Sequence, residues 1–369
     1  MKCRFILESE VVLSARFTCN QDIVTAAHKK LPQDVWDYLT GAAESEMTLR
    51  RNRHALDKIA FLPRVLRDVS RIDASTTFLG HKMRIPVMLA PIGSLQAIAE
   101  GGGAAACKAA GTFGTIPMIS SITEPSLEEC SRAGSGPKMF QLYVRGEKPW
   151  TRDILARVKA AGFIGLAVTV DSALYGIRER QLTKGYLPPS VRVQTNRHLQ
   201  SAITWDLMDW IKAEWNGPFI LKGIATAADA KLAVQHGVDV IYVSNHGGRQ
   251  LDHCRAAVDS LRTVVAATEG RAKIVVDGGI VRGSDVVKAI ALGANAVAIG
   301  RMQGWALAAG GHDGLVSSLE FIEREITNTL GLLGLTSWDG LGPDYITEDD
   351  AVAEAHEMSA FYHLGGRLT

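Results

Sequence analysis

The chain from residue 85 onward alternates short apolar runs with longer stretches rich in Ala, Leu, Lys and Glu. The apolar runs cover residues 85–91, 116–121, 139–144, 166–171, 219–224, 240–245, 274–278 and 296–300. Runs of this length predict buried strands, and the stretches between them are typical of helices. Eight strands that alternate with helices predict a (β/α)8 TIM barrel, an α/β fold whose active site lies at the carboxyl ends of the strands.

Segments outside this repeated pattern are expected to flank the barrel. Residues 1–16 are an N-terminal extension, and residues 17–369 are expected to form a single barrel domain that begins with a helical segment. A helix is expected to start near Pro32 and end near Gly41, the positions that these residue types favour. Residues from about 181 to 204 are polar and predict an extended loop after strand 4. That loop is either a lid over the active site or a passive surface connection.

Charge and cysteine content narrow the range of partners. The chain carries 40 Lys and Arg against 39 Asp and Glu, so no basic field favours nucleic acid. No apolar run reaches the roughly 18 residues that a membrane span needs. The five cysteines lack paired spacing and are expected to be free thiols of a reducing compartment. Because the final residues Arg367-Leu368-Thr369 are not the Ser-Lys-Leu peroxisomal address, the expected location is the cytoplasm.

The sixth apolar run ends in a polar corner that contains two glycines, Asn245-His246-Gly247-Gly248-Arg249. His246 is a candidate proton acceptor near neutral pH, and Arg249 offers the planar fork that suits a carboxylate. Without further context, a loop histidine that only satisfies local hydrogen bonds is the simpler interpretation. The length of the polar string, which continues as Gln-Leu-Asp, favours a base and an anion clamp one short turn apart.

This string resembles the active-site motif of the FMN-dependent 2-hydroxy-acid oxidases and dehydrogenases. That family includes glycolate oxidase, lactate oxidase, mandelate dehydrogenase and the flavin domain of flavocytochrome b2. The resemblance extends from about residue 22 to about residue 336. It implies an FMN cofactor and oxidation of an L-2-hydroxy acid to the 2-oxo acid, with oxygen, quinone or another acceptor taking the electrons. It also implies a homo-oligomer, expected to be a homotetramer.

The resemblance assigns roles to residues at the strand ends. His246 matches the catalytic base, Asp171 matches the carboxylate that orients the base, and Tyr143 matches the tyrosine that hydrogen-bonds the substrate hydroxyl. The substrate carboxylate is expected to contact Tyr38, Arg178 and Arg249. The expected cofactor contacts are Pro91, Ile92, Gly93, Ser120, Gln141, Thr169, Lys222, Ser244, Asp277, Gly278, Gly279, Arg282, Gly300 and Arg301.

Some of these positions also make physical sense without the family. Lys222 is a cation inside an apolar run, and a buried cation must find an anionic partner or lose its charge. The family places such a lysine beside flavin N1. Glycines that follow strands seven and eight are typical of barrel phosphate sites, and Arg301 adds a bidentate cation.

Departures from the family pattern carry their own expectations. Val281 stands where the family usually has arginine, so Arg282 either substitutes for it or one phosphate contact is missing, with weaker cofactor retention. Ile122 stands where glycolate-specific relatives carry tryptophan, and Tyr175 stands where a small aliphatic residue is common. With Gly93, these residues predict a pocket that prefers aromatic or longer aliphatic 2-hydroxy acids to glycolate. The alternative for Tyr175 is a solvent-facing position on the lid.

A second class of function stays open at this stage. A barrel without a redox role would be a phosphate-ligand-binding protein, or an aldolase or isomerase that uses Lys222 as a Schiff-base lysine. The chain has no Gly-x-Gly-x-x-Gly motif after a strand and no P-loop, which argues against nicotinamide and nucleoside triphosphates. No metal is expected, because His246, His253 and Cys254 lack a recognisable ligand spacing.

Overall fold

The computed structural model describes residues 17–192, 197–352, 354–361 and 364. Eight parallel strands form its central sheet, and each overlaps one of the predicted apolar runs, although β4 and β7 begin one residue before theirs. They are β1 (Val87–Leu89), β2 (Met118–Ser120), β3 (Met139–Leu142), β4 (Gly165–Thr169), β5 (Phe219–Ile224), β6 (Val240–Val243), β7 (Lys273–Val276) and β8 (Ala296–Ile299). The expected extension, residues 1–16, lies outside the described residues.

The sheet closes on itself. Its hydrogen-bonding order is β1-β8-β7-β6-β5-β4-β3-β2, so the strands from β2 to β8 pair in sequence order and β8 pairs with β1. A parallel bridge between Leu89 and Pro117 joins the two remaining edges, and the Leu89 N–H donates to the Ile116 carbonyl at 3.1 Å. The prediction of a (β/α)8 TIM barrel is confirmed.

Helices surround the strands and also precede them. They are α1 (Asn20–Lys30), α2 (Gln33–Thr40), α3 (Met47–Asp57), α4 (Leu95–Ile98), α5 (Gly102–Phe113), α6 (Leu127–Arg132), α7 (Lys148–Ala160), α8 (Glu179–Thr183), α9 (Pro189–Arg192), α10 (Arg197–Ser201), α11 (Trp205–Trp215), α12 (Ala227–Gln235), α13 (Ala257–Thr268), α14 (Gly283–Ala291) and α15 (Arg301–Leu332). Two short antiparallel ribbons pair Ile59–Phe61 with Ile346–Glu348 and Thr76–Phe78 with His81–Met83.

The barrel interior changes from apolar to polar along six of the eight strands, β2 to β7. Side chains two residues apart face the same side of a strand, and barrel interiors are filled in such layers. The lower members are buried and apolar, whereas the upper members bear polar groups. The pairs are Met118 and Ser120, Met139 and Gln141, Ala167 and Thr169, Ile220 and Lys222, Tyr242 and Ser244, and Val275 and Asp277. This alternation delivers polar side chains to the carboxyl ends of the strands.

The connection between β4 and β5 contains the expected polar loop, and helices α8, α9 and α10 lie within it. Gln200 on α10 is buried and anchors this connection to the barrel. Its Nε2 donates to the Thr169 carbonyl at 2.8 Å, and its Oε1 accepts from the Val144 N–H at 2.8 Å. Residues 193–196 lie outside the described part, and the role of the loop as a lid stays a prediction.

Two further expectations concern membranes and thiols. Within the described ranges, no helix is long and apolar enough to cross a membrane. The four cysteines in the described part, Cys19, Cys107, Cys130 and Cys254, are free thiols.

Candidate active site

A cavity of about 680 Å³ opens at the carboxyl ends of the barrel strands. Its volume lies in the range of small-molecule and cofactor sites. Most of the predicted site residues line it. They are Tyr38, Pro91, Ile92, Gly93, Ile122, Tyr143, Tyr175, Arg178, Lys222, His246, Arg249, Asp277, Gly278, Gly279, Gly300 and Arg301.

His246 lies in a tight left-handed turn directly after β6. Its φ is 60°, and Gly247 and Gly248 follow with φ of 64° and 82°. Histidine tolerates this region better than most residues, and glycine adopts it freely. The His246 N–H donates to Ser244 Oγ at 3.0 Å, which fixes the start of the turn. The backbone therefore aims the imidazole into the cavity.

The imidazole lies between a carboxylate and a phenol. Its Nδ1 is 3.0 Å from Asp171 Oδ1, and its Nε2 is 3.3 Å from the Tyr143 hydroxyl oxygen. Asp171 follows β4 and stands behind the imidazole, so it orients the ring rather than lining the cavity. The hydrogen bond from Nδ1–H to Asp171 leaves Nε2 with its lone pair toward the cavity.

Burial sets the protonation of this group of residues. It lowers the pKa of His246 below the ordinary value, although the Asp171 charge opposes the shift. Burial also raises the pKa of Asp171, but His246 and Lys222 outweigh it, so this pKa is lowered overall. Burial and the Asp171 charge raise the pKa of Tyr143. At neutral pH the site therefore holds a neutral imidazole, a carboxylate and a protonated phenol.

The carbonyl groups at the carboxyl end of helix α2 accept hydrogen bonds from two arginines of other elements. Nη1 of Arg249 donates to the carbonyls of Tyr38 at 2.7 Å and Gly41 at 2.8 Å. Nε of Arg301 donates to Thr40 at 2.8 Å, and its Nη2 donates to Gly41 at 2.9 Å. The last carbonyls of a helix lack partners within the helix and favour cations. Helix α2 thus holds both guanidinium groups at the cavity wall.

Arg249 keeps one edge available. In the described part of the chain, no group accepts a hydrogen bond from its Nε or Nη2. Its guanidinium carbon lies 5.0 Å from the centre of the Tyr38 ring, which restricts the orientation of the fork. This edge suits a carboxylate that accepts two parallel hydrogen bonds.

Arg178 is bonded to protein groups on each of its nitrogens. Nε donates to the Arg249 carbonyl at 3.1 Å, Nη1 to the Tyr175 hydroxyl at 2.6 Å and Nη2 to Gln250 Oε1 at 3.3 Å. Its guanidinium carbon lies 4.2 Å from the centre of the Tyr175 ring. Tyr175 therefore packs on Arg178 in the cavity wall. Gly176 lets the two loops approach, because an added Cβ would lie 2.5 Å from the Arg249 carbonyl oxygen.

The buried guanidinium groups make the cavity strongly basic. Burial and the Arg249 charge lower the pKa of Arg178 to about 10 and that of Arg301 to about 9. Both groups stay charged at neutral pH, but burial and mutual repulsion destabilise the cations. An anionic ligand relieves that penalty. The cavity is therefore suited to a ligand, or pair of ligands, with more than one negative charge.

Lys222 is paired at the base of the cavity. Its Nζ donates to Ser244 Oγ at 3.1 Å and lies 3.9 Å from Asp277 Oδ2. The other oxygen of Asp277, Oδ1, is buried and has no hydrogen-bond partner among the described residues. A lysine held in an ion pair does not favour Schiff-base chemistry, which needs a neutral amine.

Several predicted cofactor contacts do not line the cavity. Ser120 donates to Gln141 Oε1 at 2.7 Å, and Gln141 Nε2 donates to Thr169 Oγ1 at 2.8 Å. These three side chains form a buried polar row behind the cavity wall, and Ser244 is likewise buried beside Lys222.

Of the two alternatives for Arg282, its placement favours the missing phosphate contact, because Arg282 does not line the cavity. Its Nη1 donates to Glu325 at 2.7 Å, its Nε and Nη2 donate to the Ala360 carbonyl, and its guanidinium stacks on Phe361. Arg282 is the N-cap residue immediately before helix α14, and its side chain runs toward α15 instead of the cavity. Val281 lines the cavity at this position. Of the two arginines predicted to contact the phosphate, Arg282 and Arg301, only Arg301 lines the cavity in the described part of the chain.

Helix α3 supplies residues that sequence reasoning missed. Asn52 and Asn245 exchange two amide hydrogen bonds, at 2.9 and 2.8 Å, which ties the His246 turn to the helix. Arg53 makes a buried ion pair with Asp285 at 2.7 Å and donates to the Gly279 carbonyl at 2.8 Å. A charged residue on the buried face of a helix is the sequence signal that could have identified Arg53.

Asp252, the last residue of the motif string, caps helix α3 from a distance. Its Oδ1 accepts from the Thr48 N–H at 2.7 Å, and its Oδ2 accepts from the Met47 N–H at 3.2 Å. These N–H groups have no partner inside the helix. The string that contains the catalytic candidate thus also fixes the helix that supports it.

The C-terminal segment reaches the cavity through Glu357, which was also not predicted. Arg180 on α8 forms ion pairs with both Glu357 and Glu46. This contact joins three segments that are distant in sequence. No motif connects them, so sequence alone offered no signal.

The strand ends of this barrel carry a neutral histidine, a carboxylate behind it and an available guanidinium edge. This arrangement is typical of an enzyme that acts on an anionic organic substrate. Comparison with known proteins identifies its family. A family model described as FMN-dependent dehydrogenase matches residues 27–348. The chain belongs to this family of FMN-dependent 2-hydroxy-acid oxidases and dehydrogenases, and its cofactor is FMN. The resemblance read from the motif is confirmed.

Individual relatives match over most of the chain. Glycolate oxidase from Spinacia oleracea is 37% identical over 345 residues, which cover 88% of this chain and 94% of that protein. L-lactate oxidase from Nostoc sp. is 35% identical over 348 residues, which cover 87% and 95%. A solved structure of a mandelate oxidase mutant with (S)-mandelic acid shares 34% identity and a TM-score of 0.85, and the match covers 91% of this chain and 100% of that one.

The residues of the cavity fit FMN. Gly278 and Gly279 adopt φ of 104° and 82° after β7 and line the same cavity as Arg301, so backbone and guanidinium are both available for a phosphate. The buried Oδ1 of Asp277 is an acceptor of the kind that a ribityl hydroxyl requires. Lys222 supplies a cation at the base of the cavity. Arg301, Asp277 and Lys222 would therefore hold the phosphate, the ribityl chain and the ring edge.

Proposed function

We propose that the enzyme oxidises an L-2-hydroxy acid to the 2-oxo acid, with His246 as the base. The observation that carries the proposal is the neutral imidazole held between Asp171 and Tyr143, beside the available edge of Arg249. A base and an anion clamp in one cavity suit a substrate whose carboxylate lies next to the carbon that is oxidised.

Each residue has a distinct task in this proposal. Arg249 binds the substrate carboxylate through two hydrogen bonds, and the Tyr38 hydroxyl, which lies 2.9 Å from the Gly93 carbonyl, completes that subsite. Tyr143 is protonated and donates to the substrate oxygen.

His246 removes one of the two protons that the substrate loses, and Asp171 stabilises the resulting imidazolium. When bound, FMN would accept the two electrons and the other proton that leave the substrate. Arg178 lines the same subsite and holds the Tyr175 and Gln250 contacts in place.

We further propose that the substrate is an aromatic or longer aliphatic 2-hydroxy acid. Gly93 has no side chain and Ile122 no aromatic ring at the cavity wall, and the half-buried Tyr175 lines the same cavity with its ring on Arg178, which supports this preference. An aromatic substrate stacked on this ring would gain about 0.5–1.5 kcal/mol beyond burial. The mandelate oxidase structure with (S)-mandelic acid supports this preference, whereas the glycolate oxidases show that the family also accepts the smallest acid.

Anaerobic reduction of the bound flavin by different acids tests this preference. Reduction efficiency should rank mandelate or 2-hydroxyoctanoate above glycolate. The opposite ranking would refute the pocket assignment without affecting the family. Adding oxygen or a quinone to the reduced enzyme then tests the acceptor class, because an oxidase is reoxidised rapidly by oxygen and a dehydrogenase is not.

We also propose a cytoplasmic homotetramer. The free cysteines in the described part fit a reducing compartment, and the family resemblance supports the assembly. Sedimentation equilibrium of the FMN-loaded enzyme tests it, since a mass of one chain, 39.8 kDa, would contradict the proposal.

A further inference from the structure

The side chain of Tyr242 lies inside the barrel, below the cavity. It is fully buried in the middle of β6 and packs among the apolar side chains of the barrel interior. Its hydroxyl donates to Asp277 Oδ2 at 3.0 Å. Burial and the Asp277 charge hold the pKa of Tyr242 well above its usual range. The phenol therefore remains a hydrogen-bond donor at every working pH.

Asp277 uses its two oxygens differently. Oδ2 receives the Tyr242 hydroxyl and lies 3.9 Å from Lys222 Nζ. Oδ1 is buried without a hydrogen-bond partner among the described residues, although the residue lines the cavity. A buried carboxylate oxygen without a partner is costly. It is therefore an acceptor prepared for a ligand hydroxyl.

We infer that Tyr242 is a positioning residue of the cofactor site, which acts through Asp277. Its hydroxyl fixes the carboxylate so that Oδ1 stays directed toward a cofactor hydroxyl. The same hydrogen bond weakens the attraction between Oδ2 and Lys222. The Lys222 Nζ also lies 5.2 Å from the centre of the Tyr242 ring. This inference rests on the binding of FMN in the cavity, as the proposed function requires.

Removal of the hydroxyl has two consequences. The carboxylate of Asp277 then has Lys222 as its nearest partner and turns toward it, so Oδ1 is no longer held toward the cavity. The carboxylate also neutralises Lys222 more completely. A reduced flavin carries more negative charge than an oxidised one, so it loses more stabilisation from the weakened cation.

Tyr242→Phe tests the inference because it removes the hydroxyl and keeps the ring. Fluorescence titration of the FMN-free variant should give an FMN dissociation constant about 3- to 10-fold higher than that of the wild type, which is the scale of one hydrogen bond. The midpoint potential of the bound flavin should fall by about 15–30 mV, which is a 3- to 10-fold change in the two-electron equilibrium. Neither readout depends on turnover.

Tyr345→Phe is the matched control. Tyr345 is also buried, and its hydroxyl accepts from Arg67 Nη1 at 3.2 Å, remote from the cavity lining. This variant loses a buried tyrosine hydroxyl in the same way, yet its FMN affinity and flavin potential should match the wild type. It separates general loss of stability from an effect at the cofactor site.

A double-mutant cycle shows whether Tyr242 acts through Asp277. On an Asp277→Asn background, Tyr242→Phe should add less than a twofold change in FMN affinity, because the positioned carboxylate is already absent. Additive effects would overturn the inference, as would a Tyr242→Phe variant that matches Tyr345→Phe in both readouts. A wild-type enzyme that fails to bind FMN would overturn the cofactor assignment, and the inference with it.

Discussion

Replacement of Arg249 by lysine separates the roles of the two arginines near the substrate subsite. Arg249 anchors Nη1 on the carbonyls of Tyr38 and Gly41 and leaves the Nε and Nη2 edge available. A lysine ammonium keeps the charge, but it cannot donate to the helix carbonyls and to both carboxylate oxygens at the same time. At least one of the two hydrogen bonds to the substrate is then lost. A hydrogen bond to a charged group contributes about 1.5–3 kcal/mol, so substrate binding should weaken about 10- to 150-fold.

The matched variant is Arg178→Lys. Each nitrogen of Arg178 already donates to a protein group, so this replacement should weaken substrate binding less than Arg249→Lys. Anaerobic stopped-flow measurement of flavin reduction against substrate concentration gives the dissociation constant and the limiting rate for both variants. If Arg178→Lys is the more damaging change, the two arginines have the opposite roles and the assignment of the free edge is wrong.

Four other predictions address the base and the cofactor. His246→Gln should keep FMN bound while flavin reduction slows by about 10²- to 10⁴-fold, and a near-normal rate would exclude His246 as the base. Because only neutral imidazole accepts a proton and burial lowers the His246 pKa, the acid limb of the rate should lie below the ordinary histidine pKa. Asp171→Asn removes the charge that raises this pKa, so the acid limb should move to lower pH as the rate falls; an upward shift would contradict the pairing. Arg301→Lys should weaken the binding of FMN but not that of riboflavin in fluorescence titrations. Equal losses of affinity for the two ligands would show that Arg301 does not contact the phosphate.

The barrel and most of the cavity wall were predictable because both depend on local pattern. Period-two alternation within each apolar run brings its last inward side chain to the carboxyl end of a strand, as in Lys222 and Asp277. Parallel strands then assemble those ends on one face of the barrel. The motif after β6 adds His246 and Arg249 to the same face.

The residues that escaped prediction depend on contacts between distant segments. Asn52 and Arg53 support the loops after β6 and β7 from a helix about 200 residues earlier in the chain. Arg282 was assigned by its nearness in sequence to Val281. Neighbouring residues at the start of a helix point in different directions, and Glu325 on α15 attracts the Arg282 guanidinium away from the cavity.

Tyr242 illustrates a different limit. In the sequence it is one more bulky residue in the apolar run Val240–Val243, and its packing confirms that interpretation. Its hydroxyl acquires significance only because the barrel places Asp277, the residue directly after the neighbouring strand β7, within hydrogen-bond distance. Pairing between strands, which no local pattern specifies, creates this contact.

The most direct test of the account is anaerobic mixing of the purified FMN-loaded enzyme with a 2-hydroxy acid. The account predicts that L-mandelate or L-2-hydroxyoctanoate bleaches the flavin absorbance and yields one equivalent of the 2-oxo acid per flavin. His246→Gln with the same flavin content should bleach far more slowly. A wild-type flavin that dithionite reduces but that no 2-hydroxy acid bleaches would contradict the proposed reaction.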